Sequence, residues 1–78
     1  HSSKISLFPN PATNIVSIQG LEKGSAQVRI LDQAGRLISE YSSLTNGQSV
    51  DVSGFNSGIY LFEITYEDQS SIQRITVR

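Results

Sequence analysis

Apolar and polar side chains alternate along most of this chain, and glycine, proline, asparagine or aspartate interrupts the alternation about every 8–12 residues. A period of two puts alternate side chains on one face of an extended strand, so each interrupted run predicts a strand with one buried face. No segment carries apolar residues at i, i+3, i+4 and i+7 over a helical length. The expectation is an all-β domain, an antiparallel Ig-like, Greek-key β-sandwich of about seven strands.

The strongest run is Gly58-Ile59-Tyr60-Leu61-Phe62-Glu63-Ile64-Thr65-Tyr66. Branched and aromatic side chains pack well on a pleated surface, and Gly58 permits a backbone turn before the run begins. Tyr60, Phe62, Ile64 and Tyr66 share one face, while Ile59 and Leu61 make the start of the other face apolar too. This predicts a central strand, buried from both sides and paired on both edges.

The remaining runs fall around it. Ile5-Ser6-Leu7-Phe8 is stopped by Pro9-Asn10-Pro11, where two fixed φ angles and two missing backbone donors make a rigid corner. Ile15–Gln19 is a strand, Gly20–Gly24 a turn, and Ser25–Asp32 a strand with Ala26, Val28 and Ile30 inward. Asp32-Gln33-Ala34-Gly35-Arg36 predicts a hairpin loop in which Asp32 bonds backbone amides and Gly35 takes a positive φ. Leu37–Leu44 is serine-rich and weakly alternating, as an edge strand is. Asn46-Gly47 predicts a tight hairpin, Val50 and Val52 point inward, and Glu67-Asp68-Gln69-Ser70 reverses the chain before a last strand over Ile72–Arg78. The expected core is Leu7, Val16, Ile18, Val28, Ile30, Val50, Val52, Tyr60, Phe62, Ile64, Ile75 and Val77.

Composition narrows the function. A chain of 78 residues makes one domain with a thin core, and such domains hold only about 3–5 kcal/mol. No cysteine means no disulfide, thiolate metal site or thiol nucleophile, and leaves the compartment open. The net charge is −1 and the six lysines and arginines are dispersed, so no nucleic-acid partner and no membrane insertion are expected. No cleavable export signal is visible, and His1-Ser2-Ser3 reads as a tag remnant or linker.

Catalytic, metal and cofactor sites find no support. Asp32, Asp51, Glu63, Glu67 and Asp68 lack the alternating spacing of a calcium loop, there is no Gly-x-Ser-x-Gly elbow, and the only histidine is terminal. Gly20–Gly24 lacks the Gly-Lys-Ser/Thr ending of a phosphate loop. Phe55, Gly58 and Tyr60 instead suggest a tyrosine corner, in which a core tyrosine near a strand start bonds upstream backbone, here near Asn56.

Four segments together carry a resemblance. Ile5-Ser6-Leu7-Phe8-Pro9-Asn10-Pro11-Ala12-Thr13 with Ile15-Val16, then Val28-x-Ile30-x-Asp32-x-x-Gly35, then Val50-Asp51-Val52-Ser53, and Phe55-x-x-Gly58-Ile59-Tyr60-Leu61 resemble the type A C-terminal sorting domain of type IX (Por) secretion cargo from Bacteroidetes. Their order spans nearly the whole chain. The resemblance implies that residues 4–78 are the last domain of a larger exported protein, preceded by an N-terminal cargo domain. It implies transit through the periplasm, reading by the type IX outer-membrane translocon, removal by a sortase, and delivery to the cell surface or the extracellular space. The end departs from the family, where lysines are common, in having Gln73, Arg74 and Arg78. Arginine keeps the charge but offers a planar fork instead of a point charge.

The residues singled out for partner recognition are Pro9, Asn10, Pro11, Arg74 and Arg78; Asp32, Gly35, Gly58 and Tyr60 are singled out as structural. For the two arginines the solvated side of a last strand stands beside the recognition reading. An extracellular Ig-like or fibronectin-like binding or spacer module is the alternative function, since one fold serves many uses. A sugar binder would need exposed aromatic rings, for which Tyr41 and Tyr66 are the candidates.

Overall fold

The computed structural model describes residues 5–78, so the reading of residues 1–3 as a tag remnant or linker lies outside the described residues. Seven strands follow one another: β1 (Ser6–Phe8), β2 (Ile15–Gln19), β3 (Ser25–Leu31), β4 (Leu37–Thr45), β5 (Ser49–Asp51), β6 (Gly58–Tyr66) and β7 (Gln69–Val77). They form two antiparallel sheets, ordered β1-β2-β5 and β4-β3-β6-β7. The chain passes between the sheets at β2→β3, β4→β5 and β5→β6.

β6 is central as its pattern predicts, pairing with β3 from Leu61 to Thr65 and with β7 along its whole length. Its face bearing Tyr60, Phe62, Ile64 and Tyr66 is buried against the three-stranded sheet. The expectation of burial from both sides needs correction, since Ile59 and Leu61 are only half-buried. No second layer lies over them among the described residues; they are shielded laterally by Thr76 and by Leu31 and Arg74 on adjacent strands.

Eleven of the twelve expected core residues are buried, and Leu7 is half-buried against them because β1 has a neighbour on one side only. Ala12, Leu21, Leu44 and Tyr66 complete the core, as does Ala26. Tyr66 is thereby removed as a candidate sugar platform: its hydroxyl donates to the Lys23 carbonyl at 2.7 Å and accepts from the Lys23 N–H at 3.2 Å. Tyr41 is half-buried and packs against the core.

Two turns differ from expectation. Asn46-Gly47 does not close a hairpin within one sheet, because β4 and β5 belong to different sheets. Positive φ falls on Gly47 alone, and Gln48 N–H closes the reversal on the Thr45 carbonyl. Asn46 acts through its side chain, whose Oδ1 accepts from Gly20 N–H and Leu21 N–H at 2.8 and 2.9 Å, tying this tip to the β2–β3 link. The β6–β7 reversal is tighter than the four residues expected: Tyr66 pairs with Gln69, leaving Glu67 and Asp68 at φ 51° and 66°. That is the backbone of a type I′ turn, which asparagine and glycine adopt more cheaply than these residues.

The tyrosine corner is present. Tyr60 Oη donates to the Asn56 carbonyl at 2.7 Å, and the Phe55 and Tyr60 rings lie 5.0 Å apart at 45°. Gly58, at φ 157°, would have no heavy atom within 4 Å of an added Cβ, so the demand for glycine comes from the dihedral and not from crowding.

Two stability measurements test this account. Tyr60→Phe keeps the ring but loses the bond to Asn56, and is expected to lower the unfolding free energy by about 1–2 kcal/mol; an unchanged urea midpoint would contradict it. Glu67→Asn combined with Asp68→Gly relieves two left-handed L-residues and is expected to raise stability by about 1 kcal/mol with an unaltered denaturant slope.

Candidate functional site

The Pro9-Asn10-Pro11 corner and the last strand, 64 residues apart in the chain, form one continuous seam. β1 belongs to the three-stranded sheet, but after Phe8 the chain swings to the outer edge of β7 and returns at Ile15 as β2. Proline is tolerated there because an edge position does not need its missing donor. Both X–Pro bonds, Phe8–Pro9 and Asn10–Pro11, are cis.

Asn10 binds the edge with both ends of its carboxamide. Its Nδ2 donates to the Arg74 carbonyl at 3.2 Å, and its Oδ1 accepts from the Thr76 N–H at 3.0 Å. A side chain here takes the place of a strand partner, satisfying backbone groups that an edge leaves open. The backbone takes over one step further on: Ala12 N–H donates to the Thr76 carbonyl at 2.8 Å, and Arg78 N–H donates to the Ala12 carbonyl at 2.9 Å. Ala12 thus makes a parallel bridge with Val77, and its methyl is fully buried. At the other end of β1, Gln73 Nε2 donates to the Ile5 carbonyl at 2.8 Å.

The five residues singled out for recognition are therefore brought together. Pro9, Asn10 and Pro11 are exposed, as are Arg74 and Arg78, while the backbone of both arginines is bonded to the corner. The corner also carries exposed apolar surface, since Phe8 and Ile15 are each 45% exposed and lie diagonally on the outer face of the three-stranded sheet. Sequence reasoning missed Ala12 because a single alanine inside a turn carries no periodic signal. It missed Gln73 as a ligand of Ile5 because polar side chains of edge strands usually face water.

Asp32, Gly35, Gly58 and Tyr60 do not join this seam and serve the fold. Asp32 Oδ1 accepts from the Ala34 and Arg36 amides, each at 2.9 Å, and Oδ2 accepts from Arg36 Nε at 3.0 Å. The Arg36 amide, helped by the guanidinium and the Ala34 amide, holds the Asp32 carboxyl below its ordinary value against the opposing effect of desolvation. The carboxylate's support for this loop is therefore present at neutral pH and lost as pH falls through that lowered value. Gly35 takes φ 89° and donates its N–H to the Asp32 carbonyl. Among the described residues, no group of three or more His, Cys, Asp or Glu side chains could hold a metal ion.

The family profile of the secretion system C-terminal sorting domain matches residues 6–78, which include the corner and the whole of the last strand. Among solved structures, the fold is similar to a chain from work on PorZ, an essential bacterial surface component of the type-IX secretion system of human oral-microbiomic Porphyromonas gingivalis. The similarity has a TM-score of 0.77 at 26% identity and covers 95% of this chain but 11% of that one. No curated protein sequence matches. The chain belongs to the family of C-terminal sorting domains of type IX secretion, whose members act as sorting signals and not as catalysts and direct proteins to the cell surface or the extracellular space.

The seam itself is open to test. Asn10→Ala removes both carboxamide bonds and is expected to destabilise the fold by about 1–2 kcal/mol, with faster hydrogen exchange at the Thr76 amide. Asn10→Asp keeps the acceptor for Thr76 and should retain most of that protection. Unchanged exchange at Thr76 in Asn10→Ala would mean that Ala12 alone holds the edge.

Proposed function

We propose that residues 4–78 are the sorting unit that follows a cargo domain in a larger exported protein, and that the corner–strand seam is the surface read by the outer-membrane translocon. In this reading the parent protein folds in the periplasm, crosses the outer membrane by the type IX route, and is released from its sorting domain by a sortase. The sorting domain does no chemistry of its own.

The observation that carries the reading is the seam: Asn10 grips Arg74 and Thr76, so the rigid corner and the basic end of the chain form one surface. A surface held in one shape before contact loses less ordering entropy on docking. Exposed arginines beside it steer towards an acidic groove and raise the rate of productive encounter. The alternative of a sugar-binding module is disfavoured by Tyr66, whose ring is buried and whose hydroxyl is occupied by Lys23.

The test fuses residues 4–78 to the C-terminus of a neutral periplasmic reporter in a type IX-competent cell, with the reporter expected at the surface or in the medium. Retention of that fusion in the periplasm would reject the sorting function of this unit. Arg74→Glu with Arg78→Glu, on a domain whose melting shows it folded, is expected to block export. Export equal to that of the unmodified fusion would mean that the two arginines are the solvated side of a strand.

A further inference from the structure

The outer face of the four-stranded sheet carries an apolar row that meets the seam only at Arg74. The registers Leu31↔Leu37, Leu31↔Leu61 and Leu61↔Arg74 set three leucines and an arginine side by side across all four strands. In the next row Arg29 lies between Glu40 and Glu63, at 3.8 and 3.1 Å, and Ile72 stands beyond Glu63. Leu37 is 48% and Ile72 62% exposed, while Leu31 and Leu61 are half-buried. Further along the same face Gln27, Thr65 and Ser70 give the polar row that a sheet face in water normally shows. The leucine row is therefore a local departure, on the side away from the core.

Charge decides what fits it. Arg29 and Arg36 are held by carboxylates of this chain, whereas Arg74 makes no salt bridge to any described residue, and Arg78 follows it just beyond the strand with none either. The leucine row thus ends in positive charge without a counter-charge among the described residues. An anionic bilayer is a poor match, because Glu40 and Glu63 lie on the same face and membrane-binding surfaces need basic clusters of about 4–8 residues. A second copy is also a poor match, because the carboxylates of this face are already engaged by Arg29.

We propose that this face is a docking surface for a protein of the export route that presents aliphatic side chains to Leu31, Leu37, Leu61 and Ile72 and carboxylates to Arg74. This inference rests on the sorting reading above. It extends that reading from the seam on the edge of β7 to the open face of the same sheet, with Arg74 belonging to both. Four apolar side chains are few beside the roughly 20–30 residues a side of a stable complex, so the contact is transient, as handover of cargo requires.

The experiment uses the same reporter fusion and the isolated 78-residue chain. Leu37→Ser with Ile72→Ser removes apolar contact at the two most exposed of these four positions, keeps every charge, and is first shown by melting to be folded. Export is expected to fall about tenfold, while Gln27→Ala with Ser70→Ala, on the polar part of the face, leaves it unchanged. Equal export of the double serine variant and the unmodified fusion overturns the docking face while the sorting reading stands; failure of the unmodified fusion rejects the sorting reading itself. A second arm titrates the isotope-labelled chain with a short peptide of alternating leucine and glutamate. Shifts at Leu31, Leu61 and Arg74 amides, lost in the double serine variant and absent with a leucine–lysine peptide, support the proposal. Shifts produced only by phosphatidylglycerol vesicles, or only by raising the protein concentration, assign the face to a membrane or to self-association and overturn it.

Discussion

Burial of two unequal sheets against each other is the constraint on which everything else rests. Phe62, Ile64, Val28 and Ile30 line one inner face, and Val16, Ile18, Val50 and Val52 the other, all almost fully buried. The three-stranded sheet has strands of only three to five residues, too little hydrogen-bonded ladder to persist by itself. It exists because its valines and isoleucine have a large sheet to cover, at about 25 cal/mol for each Å² of apolar surface removed from water. The large sheet in turn depends on β6, which alone joins the β3–β4 pair to β7. A defect at Phe62 or Ile64 therefore acts on both sheets at once.

So small a core leaves the ends of the strands to be secured by other means, and the chain uses side chains that bond to backbone. Asn46 ties the β4–β5 tip to the β2–β3 link, Asn10 ties the corner to β7, Tyr60 closes its own corner, and Tyr66 clamps Lys23. Each binds main-chain groups that the strand ladders leave free, and no buried side-chain polar atom among the described residues lacks a partner. Asparagine suits this work because one carboxamide supplies a donor and an acceptor, so a single residue can occupy an edge position as a short strand would.

This division explains what could be read from the sequence. Parity is a local property, and it gave the inward residues of β2, β3, β5 and β6 and the central place of β6. Ala12, Leu21 and Leu44 escaped because each is an isolated apolar residue in a turn or a polar strand, where periodicity has nothing to count. Asn46 was legible as a turn residue but for the wrong property: its carboxamide matters more than its tolerance of left-handed backbone. Tyr66 had the right parity for the core and was a binding candidate only because the other rings were assigned to the interior; the structure buries it as well. The proline corner and the terminal arginines were each visible as unusual, but nothing local says that they touch. Only the pairing of β7 with β6, and the swing of the chain after Phe8, bring them together.

That contact has a consequence for a domain whose function is to be recognised. Asn10 meets Arg74 and Thr76 in a fold where β7 is paired with β6 and the small sheet covers the core, so the seam joins residues that only the tertiary structure brings together. Its two halves lie near opposite ends of the sequence, and a chain lacking either cannot display the other in the same form. The leucine row has a related dependence, because Leu31, Leu37, Leu61 and Arg74 come from four different strands and align only when all four are in register. A partner that binds either surface therefore distinguishes a completed domain from an unfolded one. In a domain with so little stability to spare, that selectivity follows from topology and requires no separate device.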